Sequence, residues 1–195
     1  GWHPWVFDQL EIPPEGRILE LGSGPAYLWV KNADRIPAGW RLVLSDFSKG
    51  LIADARNSLS RAGCAFHFAT VDAQSIPFQD STFDAVIANH MLYHLPDLPA
   101  ALAEVHRVLV PSGVLYATTN GKTHLQELGD LVRGYDPTYR PHSGAAHFGL
   151  EDGRDRLSAW FTDITLSRYD DALEITEAEV LRGWAMSWAT SIYQG

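Results

Sequence analysis

Apolar residues recur along this chain in two alternating rhythms. Short, nearly continuous apolar runs alternate with stretches whose apolar positions fall three and four apart. Residues 17–21 (RILEL) form the first run and stop at Gly22. Residues 25–36 follow as an expected helix, with Pro25 in its first turn, where a missing N–H costs little, and with Pro37, Ala38 and Gly39 ending it. A second run at 41–45 (RLVLS) reads as a buried strand. Ser48 is placed to cap a helix over 49–61, which Gly63 ends. Runs at 64–70 (CAFHFAT) and 83–88 (FDAVIA) are the third and fourth expected strands. Leu98, Leu102, Val105 and Leu109 mark a helix over 98–109. A turn at Pro111, Ser112 and Gly113 then leads into a fifth strand over 114–119.

Strands separated by helical segments at this spacing imply parallel pairing through crossover helices. Runs with little alternation imply a sheet covered on both faces. The expected fold class is therefore a doubly wound α/β domain. The rhythm changes after Gly121. A helix is expected over 123–133, then a long loop to Gly153, and loops of that length are often functional lids. Beyond it, 161–170 and 172–176 read as two strands joined at Asp170 and Asp171. Thr176 and Glu179 fit a capping box that opens a last helix. There is no internal repeat, low-complexity tract or linker.

Composition narrows the class. A chain of 195 residues with 46% hydrophobic residues is long enough for one self-sufficient core and too apolar for disorder. The sole cysteine, Cys64, cannot form an internal disulfide, which fits a reducing, cytoplasmic setting. No apolar run reaches the ~20 residues of a membrane helix, and no leader pattern is visible. The expectation is no membrane partner. The first residue is Gly1 rather than Met, so the sequence is read as a possible fragment. The 24 acidic and 15 basic residues give a net charge of −9. Phosphate-backbone binding needs clustered Lys and Arg, so no nucleic-acid partner is expected.

Candidate chemistry sits where strands end, because ligands of open α/β sheets bind at the carboxyl edge. After the first strand come Glu20, Leu21, Gly22, Ser23 and Gly24, a turn that lets backbone approach a ligand. After the second come Asp46, Phe47 and Ser48. A carboxylate there can accept from both hydroxyls of a ribose, and Phe47 can lie against sugar or base. After the third come Asp72 and Ala73, where the acid can accept from an exocyclic amine. After the fourth come Asn89 and His90. An NAD-dependent oxidoreductase is one reading of this order. Its Gly-x-Gly-x-x-Gly signature, however, finds Tyr27 at the third glycine position.

The segments ILELGSGPAYLW, LVLSDFS, VDAQSIPFQDSTFDAVIANHMLYHLPD and EVHRVLVPSGVLYATTNG together resemble class I S-adenosylmethionine-dependent methyltransferases of the type 11-like family. The likeness is close over 18–121 and looser beyond. It implies a Rossmann-like fold with a mostly parallel seven-stranded sheet, an antiparallel C-terminal strand, and one domain over 1–195 with 122–153 as an acceptor-side lid. It also implies S-adenosyl-L-methionine as cofactor. Glu20, Gly22, Ser23 and Gly24 would lie under its methionine part, Asp46, Phe47 and Ser48 at the ribose, Asp72 and Ala73 at the adenine, and Asn89 and His90 toward the methyl group. Family members often carry a glycine where this chain has Ala26, for which a tighter turn is expected. A small-molecule methyl acceptor is expected, and a cofactor-binding protein without catalysis is the alternative.

No catalytic base is assigned by the sequence. His90, His94 and His147 are the candidates, since imidazole titrates near neutral pH. His90 and His94 stand four apart, as in a two-histidine metal site. The glutamate of that motif is Met91 here, so no metal is expected. Tyr135, Tyr139, His142, His147 and Phe148, with Trp2, His3 and Trp5 near the start and Trp184 and Trp188 near the end, are aromatics that could enclose an acceptor.

Overall fold

The computed structural model describes residues 1–135, 137, 147–172, 174–177 and 179–182. Its centre is a parallel sheet of β1 (Arg17–Leu21), β2 (Arg41–Asp46), β3 (Phe66–Thr70), β4 (Phe83–Asn89) and β5 (Leu109–Thr118), in the spatial order β3-β2-β1-β4-β5. Strand order reverses at β1, which lies between β2 and β4, so the crevice opens beyond the ends of these strands.

The sheet is covered on both faces. One face carries Ile18, Leu42, Leu44, Ala85 and Ile87. Helices α1 (Trp2–Asp8), α2 (Tyr27–Val30) and α3 (Lys49–Ser58) supply Val6, Phe7, Leu28, Trp29 and Ala55 against it. On the other face Leu19, Leu21 and Val86 pack against Ala101, Val105 and Val108 of α4 (Leu98–Val108). Because alternate residues of a strand face opposite ways, β1 sends Glu20 to the same face as Ile18, under α2.

The local reasons for these elements are visible. Ser48 caps α3, its hydroxyl accepting from the Leu51 N–H at 3.4 Å, and Asp97 caps α4 by accepting from Ala100 N at 3.0 Å. The helix expected over 25–36 is much shorter. Ala26 takes φ +64° before α2 begins, and Asn32, fully buried, donates to Leu28 O at 2.7 Å. A side-chain bond of that kind competes with the backbone ladder and ends the helix. A 3₁₀ turn over Ala33–Arg35 follows. The turn expected at Pro111, Ser112 and Gly113 lies inside β5. Phe83 pairs with Leu109 and Ala85 already pairs with Val114, so the extra residues loop out as a bulge.

Two expectations are corrected. Among the described residues the sheet has five strands, not seven, and no antiparallel C-terminal strand. The expected pair at 161–170 and 172–176 is not formed over 161–172, while part of its second half lies outside the described residues. The cause is local. Phe161 N–H bonds Leu157 O at 2.9 Å and closes α6 (Gly153–Leu157), and its ring lies 5.9 Å from His106, so it anchors a helix end. The residues after it are mostly exposed and offer no apolar stripe for a sheet. The helix expected at 123–133 appears as α5 (Gln126–Tyr135). The last expected helix is entered at 179–182 and then lies outside the described residues. Conversely α1 was not expected from the sequence.

Candidate functional site

Gly22 and Gly24, after β1, have φ of +65° and +52°. Gly22 needs its missing side chain twice over, since a Cβ would come within 2.8 Å of Met91 Cβ. Gly24 has no heavy atom within 4 Å of its Cβ position, so its open side is space for a ligand. Asp46, at the end of β2 and 8% exposed, ties the crevice together. Its Oδ2 accepts from Gly24 N at 3.0 Å and its Oδ1 from Ser48 N at 2.8 Å. Each carboxylate oxygen keeps a further lone pair.

Glu20, Gly22, Ser23, Asn89 and His90 share one cavity of about 150 Å³, to which α1 contributes Trp2 and His3. Glu20 is completely buried. Burial drives its carboxyl up to about 7, against the pull of hydrogen bonds from the Trp29 indole and the Asn89 amide, while Asp46 adds to the rise. Ser23 Oγ is buried in this wall and, alone among buried side-chain polar atoms of the described residues, has no hydrogen-bond partner. Such an atom is the mark of a missing ligand or water. His90 sits at φ +50°, rare for a histidine and more often met at functional sites. Its imidazole is pushed down to about 4, first by burial and then by His124, His3 and His94. The Trp2 ring lies 5.0 Å from it.

A second cavity, of about 260 Å³, is lined by Tyr93, His94, Leu95, Pro96 and His147. Ring contacts run from a wall residue of the first cavity to wall residues of the second. His90 lies 6.3 Å from Tyr93, and Tyr93 4.5 Å from His94. His94 and His147, remote in sequence, share this cavity, whereas His90 lines the first.

The remaining sequence candidates have defined places. Phe47 is 76% exposed, a bare ring beside Asp46. Ser48 is engaged as a helix cap. Asp72 Oδ1 accepts from Gln74 N at 2.9 Å and Gln74 Nε2 at 3.2 Å, so its side chain holds a turn. Ala73 is buried under the sheet among Leu19, Leu21 and Val86. Phe148 is core, packed with Ala88, Leu92 and Leu102, and its carbonyl accepts from Thr119 Oγ1. Tyr139, His142, Trp184 and Trp188 lie outside the described residues, as does the Tyr135 side chain. Sequence reasoning missed Tyr27, which lines the first cavity, and the partners of Glu20 and Asn89, namely Trp29 and Thr118. No spacing rule marks the latter two, because helix-on-sheet packing brings Trp29 to Glu20 and strand pairing brings Thr118 to Asn89. Among the described residues no group of three or more His, Cys, Asp or Glu is placed to hold a metal ion, and no helix is long and apolar enough to cross a membrane.

A reversed strand order, a left-handed glycine turn and an acid at the end of β2 define a doubly wound, nucleotide-type ligand site. A family model described as a methyltransferase domain matches residues 19–117, just over half of the chain, and the chain belongs to that family. It is 28% identical over 145 residues to a ubiquinone/menaquinone biosynthesis C-methyltransferase of Vibrio cholerae, covering 73% of this chain and 56% of the relative. It is 32% identical over 146 residues to a malonyl-[acyl-carrier protein] O-methyltransferase of Geobacter sulfurreducens, covering 75% of this chain and 50% of the relative. The chain thus spans about half the length of the curated relatives it matches. A solved S-adenosylmethionine-dependent methyltransferase from Aquifex aeolicus shares the fold, with a TM-score of 0.65 at 14% identity, covering 86% of this chain and 81% of that one. The fold class expected from the sequence, a Rossmann-like α/β methyltransferase fold, is the one observed. The family and the fold imply S-adenosylmethionine binding.

Proposed function

We propose that this chain is an S-adenosylmethionine-dependent methyltransferase acting on a small-molecule acceptor, with its 195 residues forming one domain. The observation that carries the reading is the crevice beyond β1, where Glu20, the orphaned Ser23 hydroxyl and the left-handed glycines converge beside Asp46. When bound, the cofactor supplies a methyl group on a sulfonium that already carries its leaving group.

The chain's own part is to bind and align. Asp46 has lone pairs left for two ribose hydroxyls, and the exposed Phe47 ring has a free face for sugar or base. Ser23 Oγ and the Glu20 carboxylate serve the amino-acid end, with Asn89 and His90 toward the methyl group. At the third strand the backbone of Asp72 and Ala73 is the adenine-facing element, since their side chains are committed elsewhere. Alignment alone can supply ~7–11 kcal/mol of the barrier. The acceptor is assigned to the cavity of about 260 Å³, to which His147 of the 122–153 segment contributes. If the acceptor must lose a proton, His94 and His147 face it directly. His90, at about 4, is neutral at pH 7 and only a weak base. The named activities of the relatives, on a quinone-type carbon and a malonyl oxygen, support a small acceptor rather than nucleic acid.

Titration calorimetry with S-adenosylmethionine and, separately, with NAD tests the cofactor. The first should bind and the second should not. Release of S-adenosylhomocysteine across a panel of quinol, enol and carboxylate acceptors then tests turnover. Binding of NAD without S-adenosylmethionine overturns the proposal, and cofactor binding without turnover on any acceptor favours a binding protein.

A further inference from the structure

Asn89 and Thr118 close their strands side by side, paired in register between β4 and β5. The His90 backbone N–H, which can only donate, lies 3.1 Å from both Thr118 O and Thr118 Oγ1. One lone pair of that hydroxyl is thereby engaged. Its proton is left for the Asn89 carboxamide, 3.2 Å away. A donating hydroxyl requires an acceptor, so the Asn89 atom facing it is Oδ1. The other end of the carboxamide is then the NH₂, which faces Glu20 Oε1 at 3.4 Å. The second Glu20 oxygen receives the Trp29 indole N–H, again a group that only donates. These hydrogen bonds point one way, from the His90 backbone just after β4, through Thr118 and Asn89, to a buried carboxylate.

We infer that Thr118 is a positioning residue: its hydroxyl holds the Asn89 carboxamide with its NH₂ toward Glu20, and so keeps Glu20 as the carboxylate that receives a ligand ammonium group. The ligand half of this inference rests on the proposed cofactor reading, whose amino-acid end carries such a group. Without the hydroxyl the carboxamide is free to turn. Its oxygen would then face Glu20, repel the carboxylate and favour the neutral acid. Burial already lifts Glu20 to about 7, so a small change in its partners alters its charge near neutral pH. The titratable groups around it are Asp46 at the end of β2, His90 after β4, His3 on α1 and Tyr27 at the start of α2. Asp46 acts on it directly. His90, at about 4, stays neutral from pH 5 to 9 and does not confuse the titration.

The test needs no ligand at first. In ¹⁵N-labelled protein the Trp29 indole N–H reports the protonation of the carboxylate it touches. Titrated from pH 5 to 9, wild type should show a midpoint near 7. Thr118→Ser should match it, and Thr118→Val should move it up by about one pH unit. If Thr118→Val does not fold, Thr118→Ala carries the same expectation. An unchanged midpoint in the hydroxyl-free variant overturns the inference, as does an equal shift in Thr118→Ser. Calorimetry with S-adenosylhomocysteine is the second arm. Thr118→Val should bind about fivefold more weakly at pH 7, with the gap closing toward pH 9, and a loss that is the same at every pH overturns the ligand half. If wild type does not bind this probe at all, the cofactor reading fails, and the indole titration still decides the role of Thr118.

Discussion

Gly22 and Gly24 have nearly the same backbone conformation, yet alanine should affect them differently. At φ of +65° and +52° a Cβ costs ~1–2 kcal/mol at either position. At Gly22 the Cβ also meets Met91 Cβ at 2.8 Å and Met91 Cγ at 3.0 Å. Those atoms lie next to the Met91 backbone and cannot swing aside, so overpacking adds ~1–3 kcal/mol. At Gly24 no heavy atom lies within 4 Å, and nothing is added. Gly22→Ala should therefore lose about 2–5 kcal/mol and Gly24→Ala about 1–2 kcal/mol. For a chain of this size 1 kcal/mol moves the melting temperature by ~2–4 °C. Thermal unfolding followed by circular dichroism should then show Gly22→Ala melting below Gly24→Ala by at least about 2 °C. Titration with S-adenosylmethionine adds the other half. Gly24→Ala puts a methyl into the open space assigned to the ligand and should weaken binding about tenfold, ~1.4 kcal/mol, despite its smaller loss of stability. Equal melting temperatures would refute the clash, and undiminished affinity in Gly24→Ala would refute the placement of the ligand.

Asp46→Ala removes the proposed acceptor of two ribose hydroxyls, and hydrogen bonds to a charged group are each worth ~1.5–3 kcal/mol, so calorimetry should find S-adenosylmethionine binding weakened at least tenfold; unchanged affinity would mean the ribose is placed wrongly. Ser48→Ala removes the α3 cap and should lower stability by ~1 kcal/mol in chemical denaturation. Glu20 and His90 give stability opposite slopes with pH. The Glu20 carboxyl, raised from 4.5 to about 7, contributes stability that is full below 4.5 and lost as pH rises through 7. The His90 imidazole, lowered from 6.5 to about 4, contributes stability that is present above 6.5 and lost as pH falls through 4. Each amounts to roughly 3 kcal/mol, and they offset between pH 4.5 and 6.5. Relative to wild type, denaturant midpoints of Glu20→Gln should therefore rise with pH across that window, while those of His90→Asn should fall; parallel profiles in all three proteins would refute the assignment.

The strand-and-helix order was legible because each buried strand is an unbroken apolar run and each turn carries glycine, proline or a cap. RILEL became β1 residue for residue, and Ser48 caps the helix that it was expected to cap. The strand-end residues Glu20, Gly22, Ser23, Asn89 and His90 do gather in one cavity. What failed depended on contacts that no local pattern encodes. Asn32 cuts a helix short by bonding Leu28 O, and Phe161 closes α6 where a strand was expected. Asp72 and Ala73 stand at the end of β3 as expected, and the structure adds that the Asp72 side chain braces a turn while Ala73 packs in the core. Trp29 and Thr118 were invisible as site residues, since only the packing of α2 on the sheet and the pairing of β4 with β5 set them beside Glu20 and Asn89. The N-terminal aromatics were read as acceptor-side cover, whereas Trp2 and His3 stand over the glycine turn.

That last placement has a structural consequence. Helix α1 is seven residues long, too short to persist without tertiary support. It is held by the buried Val6 and Phe7, by Asn32 donating to His3 O at 3.3 Å, and by an ion pair between Asp8 and Arg35. Its first turn carries Trp2, which packs against the same core as Val6 and Phe7 and lies 5.0 Å from the His90 ring. One wall of the crevice is therefore built from a seven-residue helix whose own stability is borrowed from the core beneath the sheet.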